Sequence, residues 1–161
     1  MPDIEPLRLQ VQAKIRKFEL LSSSGLWILA LFTAMSIGAS RDFDFLPSLS
    51  PEIHEMLGSA PPTNFINWAL VLYGFSAIIM VLTQMTGGKK PRGAISHFFY
   101  LSAFYTFYHF SGDLHENLWA IFTVGMTILS LQGYHVWNYY KDKVREEQEI
   151  LAELNKLIEE K

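Results

Sequence analysis

Residues 94–140 constrain the fold of this chain more than any other part of the sequence. Two apolar segments, 94–111 and 118–140, flank a short polar turn at 112–117, and neither segment contains an Asp, Glu, Lys or Arg. About 20 helical residues cross the roughly 30 Å of hydrocarbon in a bilayer. The two segments therefore predict a transmembrane helical hairpin.

Two further apolar segments, at about 20–39 and 65–86, complete a set of four. Because four such segments fill about half of a chain of 161 residues, we expect one helical membrane domain. The predicted fold is all-α, an integral membrane four-helix up-down bundle over residues 20–140. An amphipathic helix at 1–20 precedes the bundle, and a cytoplasmic helical tail at 141–161 follows it.

The basic residues predict the orientation of the bundle. Of the 13 Lys and Arg residues, only Arg41 lies outside the two terminal segments and the turn at 87–93. With four spans these three segments lie on one side of the membrane, and the positive-inside rule makes that side cytoplasmic. We therefore expect a multi-pass membrane protein with both termini in the cytoplasm. All four tryptophans lie near span ends, as interfacial anchors do: Trp27, Trp68, Trp119 and Trp137.

The first outer loop, residues 40–64, is long and acidic. Within it, Ser50 is a favourable N-cap, Pro51 suits the first helical position and Gly58 suits a C-cap. Apolar residues between them share one face. The pattern predicts a short interfacial helix in this loop.

The composition excludes several kinds of chemistry. The chain has no cysteine, which rules out disulfides, iron–sulfur ligation and covalently attached haem. The spans lack the carboxylates and lysines that proton pumps and ion-coupled transporters use. No catalytic triad, metalloprotease motif or phosphate-binding loop is present, and nothing indicates nucleic-acid binding. We therefore predict no catalytic residue, and at most a non-catalytic subunit of an enzyme.

Histidines are the charge-bearing candidates that remain within the hairpin. His97 lies early in the third span and His135 late in the fourth, so a turn centred near Glu116 places them at the same depth. Two level histidines are able to bind the iron of a haem b as axial ligands. Tyr100 and Phe104 would then pack against the haem or against a quinone ring. The alternative, that both histidines are structural, stays open.

The layout resembles a group of small four-span proteins of anaerobic, metal-reducing bacteria that are labelled menaquinol oxidoreductase. The resemblance lies in the span arrangement, in residues 103–108 (Ala-Phe-Tyr-Thr-Phe-Tyr), in the acidic turn 113–117 and in residues 134–137 (Tyr-His-Val-Trp). It implies a membrane subunit in quinol-linked electron transfer with menaquinone as a ligand. It implies no individual site residue.

Two functions from different classes follow. The first is a small integral membrane subunit of a quinol-linked respiratory electron-transfer complex that contacts quinone and partner redox subunits within the lipid bilayer. The second is a non-enzymatic membrane scaffold or assembly protein. Its small-residue face, Ala30, Ala34 and Gly38, together with the cytoplasmic tail, would bind other membrane subunits or a second copy of the chain.

Overall fold

A computed structural model describes residues 4–44 and 61–159, together with Glu55, Gly58 and Ser59. Helices account for nearly all of these residues, and no strand occurs among them, which confirms the all-α class. The five helices are α1 (Ile4–Ser22), α2 (Ser24–Ala39), α3 (Thr63–Thr86), α4 (Ala94–Ser111) and α5 (Leu114–Glu159).

The turn between α4 and α5 is shorter than the sequence suggested. It consists of Gly112 and Asp113 alone, because α5 already begins at Leu114. Gly112 ends α4 with φ of +80°, a conformation that glycine adopts without strain. Asp113 occupies a position where aspartate is favourable before a helix, and its carbonyl accepts the backbone N–H of Asn117 at 3.2 Å. Most of the predicted polar turn is therefore the first turn of a helix.

Helix α5 organises the molecule, since every other helix packs against it. Its 46 residues give a length of about 69 Å. The C-terminal half packs along α1, where the rings of Phe18 and Tyr140 lie 5.8 Å apart and Lys14 Nζ lies 3.2 Å from Glu147 Oε1. The predicted tail is thus the uninterrupted end of α5, with the N-terminal helix lying alongside it.

The hairpin of α4 and α5 separates the first two apolar helices. Both α2 and α3 pack against α4 and against α5, whereas no Cα atom of α2 comes within 8 Å of one in α3 in the described parts of the chain. Buried side chains from all four helices meet in one core: Phe32, Ile66, Leu70, Leu101, Tyr105 and Ile121 are among its members.

Glycine, rather than the predicted alanine face, allows α2 to approach α5 closely. A Cβ atom added to Gly25 would lie 2.6 Å from the Cα of Gly133, so the two backbones are in contact. Ala30 and Ala34 are exposed instead. Among the described residues, these two members of the small-residue face that the sequence suggested for helix association are therefore not covered by another helix, whereas the third, Gly38, is half-buried.

Two stretches, Glu5–Ala39 and Thr63–Thr86, are long and apolar enough to cross a membrane by length and composition. Only 17% and 28% of the residues in their most apolar windows are buried inside the structure. Helix α4 has a lower mean hydropathy because tyrosine, histidine and serine are interspersed in it, and α5 has a lower mean hydropathy chiefly because its C-terminal part is rich in Glu and Lys. Large apolar side chains of α2 and α3 are exposed instead of buried: Leu26, Trp27, Leu31, Ile37, Phe65, Trp68, Val71, Leu72, Phe75 and Ile79.

The predicted interfacial helix in the first outer loop falls mostly outside the described residues. Of its members the structure describes Glu55, which is helical, and Gly58, which has φ of +72°. The helix itself stays a prediction.

Candidate functional site

His97 is held by a tyrosine of the neighbouring helix. The Tyr73 hydroxyl on α3 lies 2.8 Å from His97 Nδ1 on α4, and His97 is buried with 3% of its surface exposed. The ring of Tyr73 also lies 5.7 Å from that of Tyr100 and 5.6 Å from that of Phe104. Three of the four residues proposed from the sequence thus gather around Tyr73. We call these four side chains the Tyr73 cluster.

The second ring nitrogen of His97 is the unusual atom of this cluster. His97 Nε2 is buried and has no hydrogen-bond partner among the described residues. When Tyr73 donates its proton to Nδ1, the proton of the neutral imidazole lies on Nε2, which is then a donor without an acceptor. A buried donor in this state costs about 1–3 kcal/mol, and an acceptor supplied by a ligand would recover that cost.

Tyrosines elsewhere in the bundle have protein partners. The Tyr105 hydroxyl lies 2.8 Å from Ser36 Oγ, and Tyr108 donates to the side-chain oxygen of Asn67. These pairs tie α4 to α2 and to α3, respectively. They contrast with the Tyr73 cluster, where one buried polar atom is unsatisfied and where Tyr100 is 60% exposed at the edge of the bundle.

His135 lies in a different place and has a different partner. Its Nε2 lies 3.1 Å from the carbonyl oxygen of Lys89, in the turn between α3 and α4. One helical turn earlier, Gln132 Nε2 donates to the carbonyl oxygen of Arg92 at 2.9 Å. Both side chains project from the same face of α5 and are buried. His135 thus holds the 87–93 turn through Nε2, while its buried Nδ1, like Nε2 of His97, has no partner among the described residues.

The two histidines differ in depth. In an antiparallel hairpin with its turn at Gly112 and Asp113, His97 is level with residue 128 and His135 is level with residue 90. The second pairing agrees with the hydrogen bond from His135 to the carbonyl of Lys89. Seven helical residues correspond to about 10 Å along the axis. The equal depth inferred from the sequence assumed a turn centred near Glu116, and the earlier start of α5 shifts that register. Because a shared haem requires level ligands, we do not propose one between these rings.

Sequence reasoning missed Tyr73, the residue at the centre of the cluster. The signal was available, because Tyr73 is a polar side chain in the middle of an otherwise strongly apolar helix. Polar groups within a span are candidates for function by default. The sequence pattern had pointed to the histidines and not to Tyr73.

Comparison with known proteins gives no information on the family or the function of this chain. No family model, no curated protein and no solved structure matches the chain. Within the described ranges no group of three or more His, Asp and Glu side chains is arranged to hold a metal ion.

Proposed function

We propose that this chain is a four-span integral membrane protein with cytoplasmic termini, and that it contacts quinone as a small, non-catalytic subunit of a quinol-linked respiratory complex. The spans are the apolar parts of α2, α3, α4 and α5. The observation that carries the proposal is the Tyr73 cluster, in which buried His97 has one ring nitrogen on Tyr73 and one without a partner among the described residues, and Tyr73 contacts the exposed ring of Tyr100.

The distribution of exposed side chains supports placement in a membrane. Side chains of the most apolar helices, α2 and α3, are turned outward rather than into the core. Soluble monomers rarely expose apolar patches of that extent, whereas lipid-facing surfaces require them. The four tryptophans near the span ends are also exposed, at 44–74% of their surface, as interfacial anchors are.

The chemistry of the Tyr73 cluster fits a quinone headgroup. A quinone carbonyl oxygen is an acceptor, and His97 Nε2 is a donor without a partner among the described residues when Tyr73 donates to Nδ1. The exposed ring of Tyr100 and the half-buried ring of Phe104 offer apolar faces on which a quinone ring would pack. Because the chain has no cysteine for iron–sulfur ligation, a partner subunit would carry the redox centre.

Replacing His97 by alanine is expected to weaken quinone binding about tenfold. The change removes one buried hydrogen bond of about 1.5 kcal/mol, which corresponds to that factor. Binding of menadione to the detergent-purified protein would measure it. His109→Ala is the matched control, because His109 is exposed on the same helix and should leave the affinity unchanged. Equal affinities of wild type and His97→Ala, or no binding by the wild type, would refute the quinone site.

A membrane scaffold is the second candidate, and one observation favours it. Ala30 and Ala34 are exposed on α2 although small residues at four-residue spacing suit close helix contacts. None of the described helices covers these two residues, so a partner helix could pack there. Failure of the wild-type protein to bind menadione would leave scaffolding as the better account.

A further inference from the structure

A basic cleft lies between the C-terminal end of α3 and the 87–93 turn. Its volume is about 580 Å³. Three cationic residues and three residues of α3 line it: Lys89, Lys90 and Arg92, with Met80, Thr83 and Gln84. We call it the Lys89 cleft.

The turn that forms one wall of the cleft is held from two sides. On the α3 side, Gln84 accepts the backbone N–H of Lys89 at its carbonyl oxygen (3.1 Å) and that of Arg92 at its side-chain oxygen (3.4 Å). On the α5 side, the carbonyl oxygens of Lys89 and Arg92 are bound by His135 and Gln132. The cationic residues are therefore carried on a preorganised backbone, which lowers the entropic cost of binding a ligand there.

The three cations have no ionic partner among the residues that the structure describes. No described carboxylate oxygen lies within 4.0 Å of their side-chain nitrogens. Other basic residues do have such partners. Lys143, for example, lies 2.7 Å from Glu146 Oε2, and that hydrogen bond raises the pKa of Lys143. Three uncompensated positive charges around one cleft favour an anion.

We propose that the Lys89 cleft binds a phosphate group, supplied by the headgroup of an anionic phospholipid. The cleft lies at the end of an apolar helix, and Ile79, Met80 and Leu82 near it are 44–48% exposed. A lipid whose phosphate contacts the cations would lay its acyl chains along these side chains. This inference rests on the membrane placement proposed above and is independent of quinone binding.

The test compares ligands on the full chain in detergent. Native mass spectrometry would follow binding of dioleoylphosphatidylglycerol, with dioleoylphosphatidylcholine and glycerol 3-phosphate as comparison ligands. We expect phosphatidylglycerol to bind most tightly. The triple variant Lys89→Gln/Lys90→Gln/Arg92→Gln should bind it about a hundredfold more weakly, from about a fivefold loss for each basic residue near a membrane surface.

Two matched variants distinguish lipid binding at the Lys89 cleft from a general effect of positive charge on lipid binding. The first control also removes three positive charges, but from exposed helix surfaces, and should keep wild-type affinity: Arg16→Gln/Lys17→Gln/Lys156→Gln. Lys89→Arg/Lys90→Arg/Arg92→Lys keeps the charges and should also bind. If the triple variant fails to fold, Lys90→Gln alone should show a fivefold loss.

Each outcome decides the proposal. Equal loss in the cleft variant and in the surface variant would overturn it, as would unchanged binding in the cleft variant or equal affinity for the two phospholipids. Tight binding of glycerol 3-phosphate that is lost in the cleft variant would support the phosphate site and assign it a soluble ligand. A failure of menadione to bind would not affect the lipid-binding result. A soluble protein that does not associate with membranes would overturn the proposal, because the proposal rests on membrane placement.

Discussion

Replacing Gly25 by alanine is expected to lower the free energy of unfolding by about 2 kcal/mol, whereas alanine at Gly133 should leave it unchanged or raise it by up to about 1 kcal/mol. The two glycines face each other where α2 meets α5, but the space beside them differs. A Cβ on Gly25 would lie 2.6 Å from the Cα of Gly133, whereas a Cβ on Gly133 would lie no closer than 3.7 Å to Gly25.

The comparison isolates the steric effect. Both substitutions raise helix propensity by a similar amount, about 1 kcal/mol, so the difference between them reflects the clash. Because the atom met by Gly25→Ala belongs to the backbone, no side-chain rotation relieves it, and α2 must move away from α5. Unfolding of the detergent-purified variants, followed by tryptophan fluorescence, would measure both values. Equal stabilities would show that the helices are not packed as described.

Replacing Gly125 by alanine is expected to lower the free energy of unfolding by about 2 kcal/mol, because the added Cβ would clash with a side chain rather than with the backbone. A Cβ at this position would lie 2.2 Å from the Cζ atom of Phe32. The Phe32 ring is fully buried, with its centroid 5.9 Å from that of Tyr105 and 6.4 Å from that of Phe122, so it has no free space to enter.

Shortening Phe32 should relieve the cost of Gly125→Ala. Leucine lacks the ring atoms that the new Cβ meets, and Phe32→Leu alone should cost about 1 kcal/mol. The double variant should therefore be more stable than the sum of the single effects, by about 1–2 kcal/mol, in a double-mutant cycle. Strict additivity would contradict a direct contact between positions 32 and 125.

Helix positions followed from the sequence because their determinants are local. Runs of apolar residues between charged or glycine-containing turns predicted spans at 65–86 and 94–111, and the structure has helices at Thr63–Thr86 and Ala94–Ser111. The absence of a helix breaker after Lys141 likewise predicted the continuation of the last helix, which the structure shows to Glu159.

The register of the helices and their packing surfaces could not be predicted from the sequence, because both depend on tertiary contacts. The polar character of residues 112–117 suggested a loop, but Asp113 starts a helix there, and the consequent shift separates His97 from His135 in depth. In the same way, Ala30 and Ala34 matched a helix-association pattern while Gly25 and Gly133 make the close approach. A one-dimensional pattern does not say which small residues face a neighbour.

The neighbours of the candidate site residues depend on tertiary contacts in the same way. His97, Tyr100 and Phe104 share one helix, and their spacing placed them near one another. Tyr73 comes from another helix and was not linked to them until α3 and α4 were seen side by side. The role of His135 depended on the carbonyl of Lys89, and no sequence pattern encodes that contact.

Cysteine accessibility tests the central claim, a four-span membrane protein with cytoplasmic termini, most directly. Because the chain has no cysteine, single replacements can be made without altering any other residue. Four exposed positions report on the three connecting segments and the C-terminal segment: Asp44→Cys, Lys90→Cys, His115→Cys and Glu153→Cys.

In spheroplasts, a membrane-impermeant maleimide is expected to label Asp44→Cys and His115→Cys, and to label Lys90→Cys and Glu153→Cys only after lysis. Gln12→Cys, an exposed position before α2, should likewise be labelled only after lysis, and the five results together require α2, α3, α4 and α5 each to cross the membrane. Labelling of Lys90→Cys or Glu153→Cys in intact spheroplasts, or recovery of the chain in the soluble fraction with none of the four labelled, would contradict the four-span account.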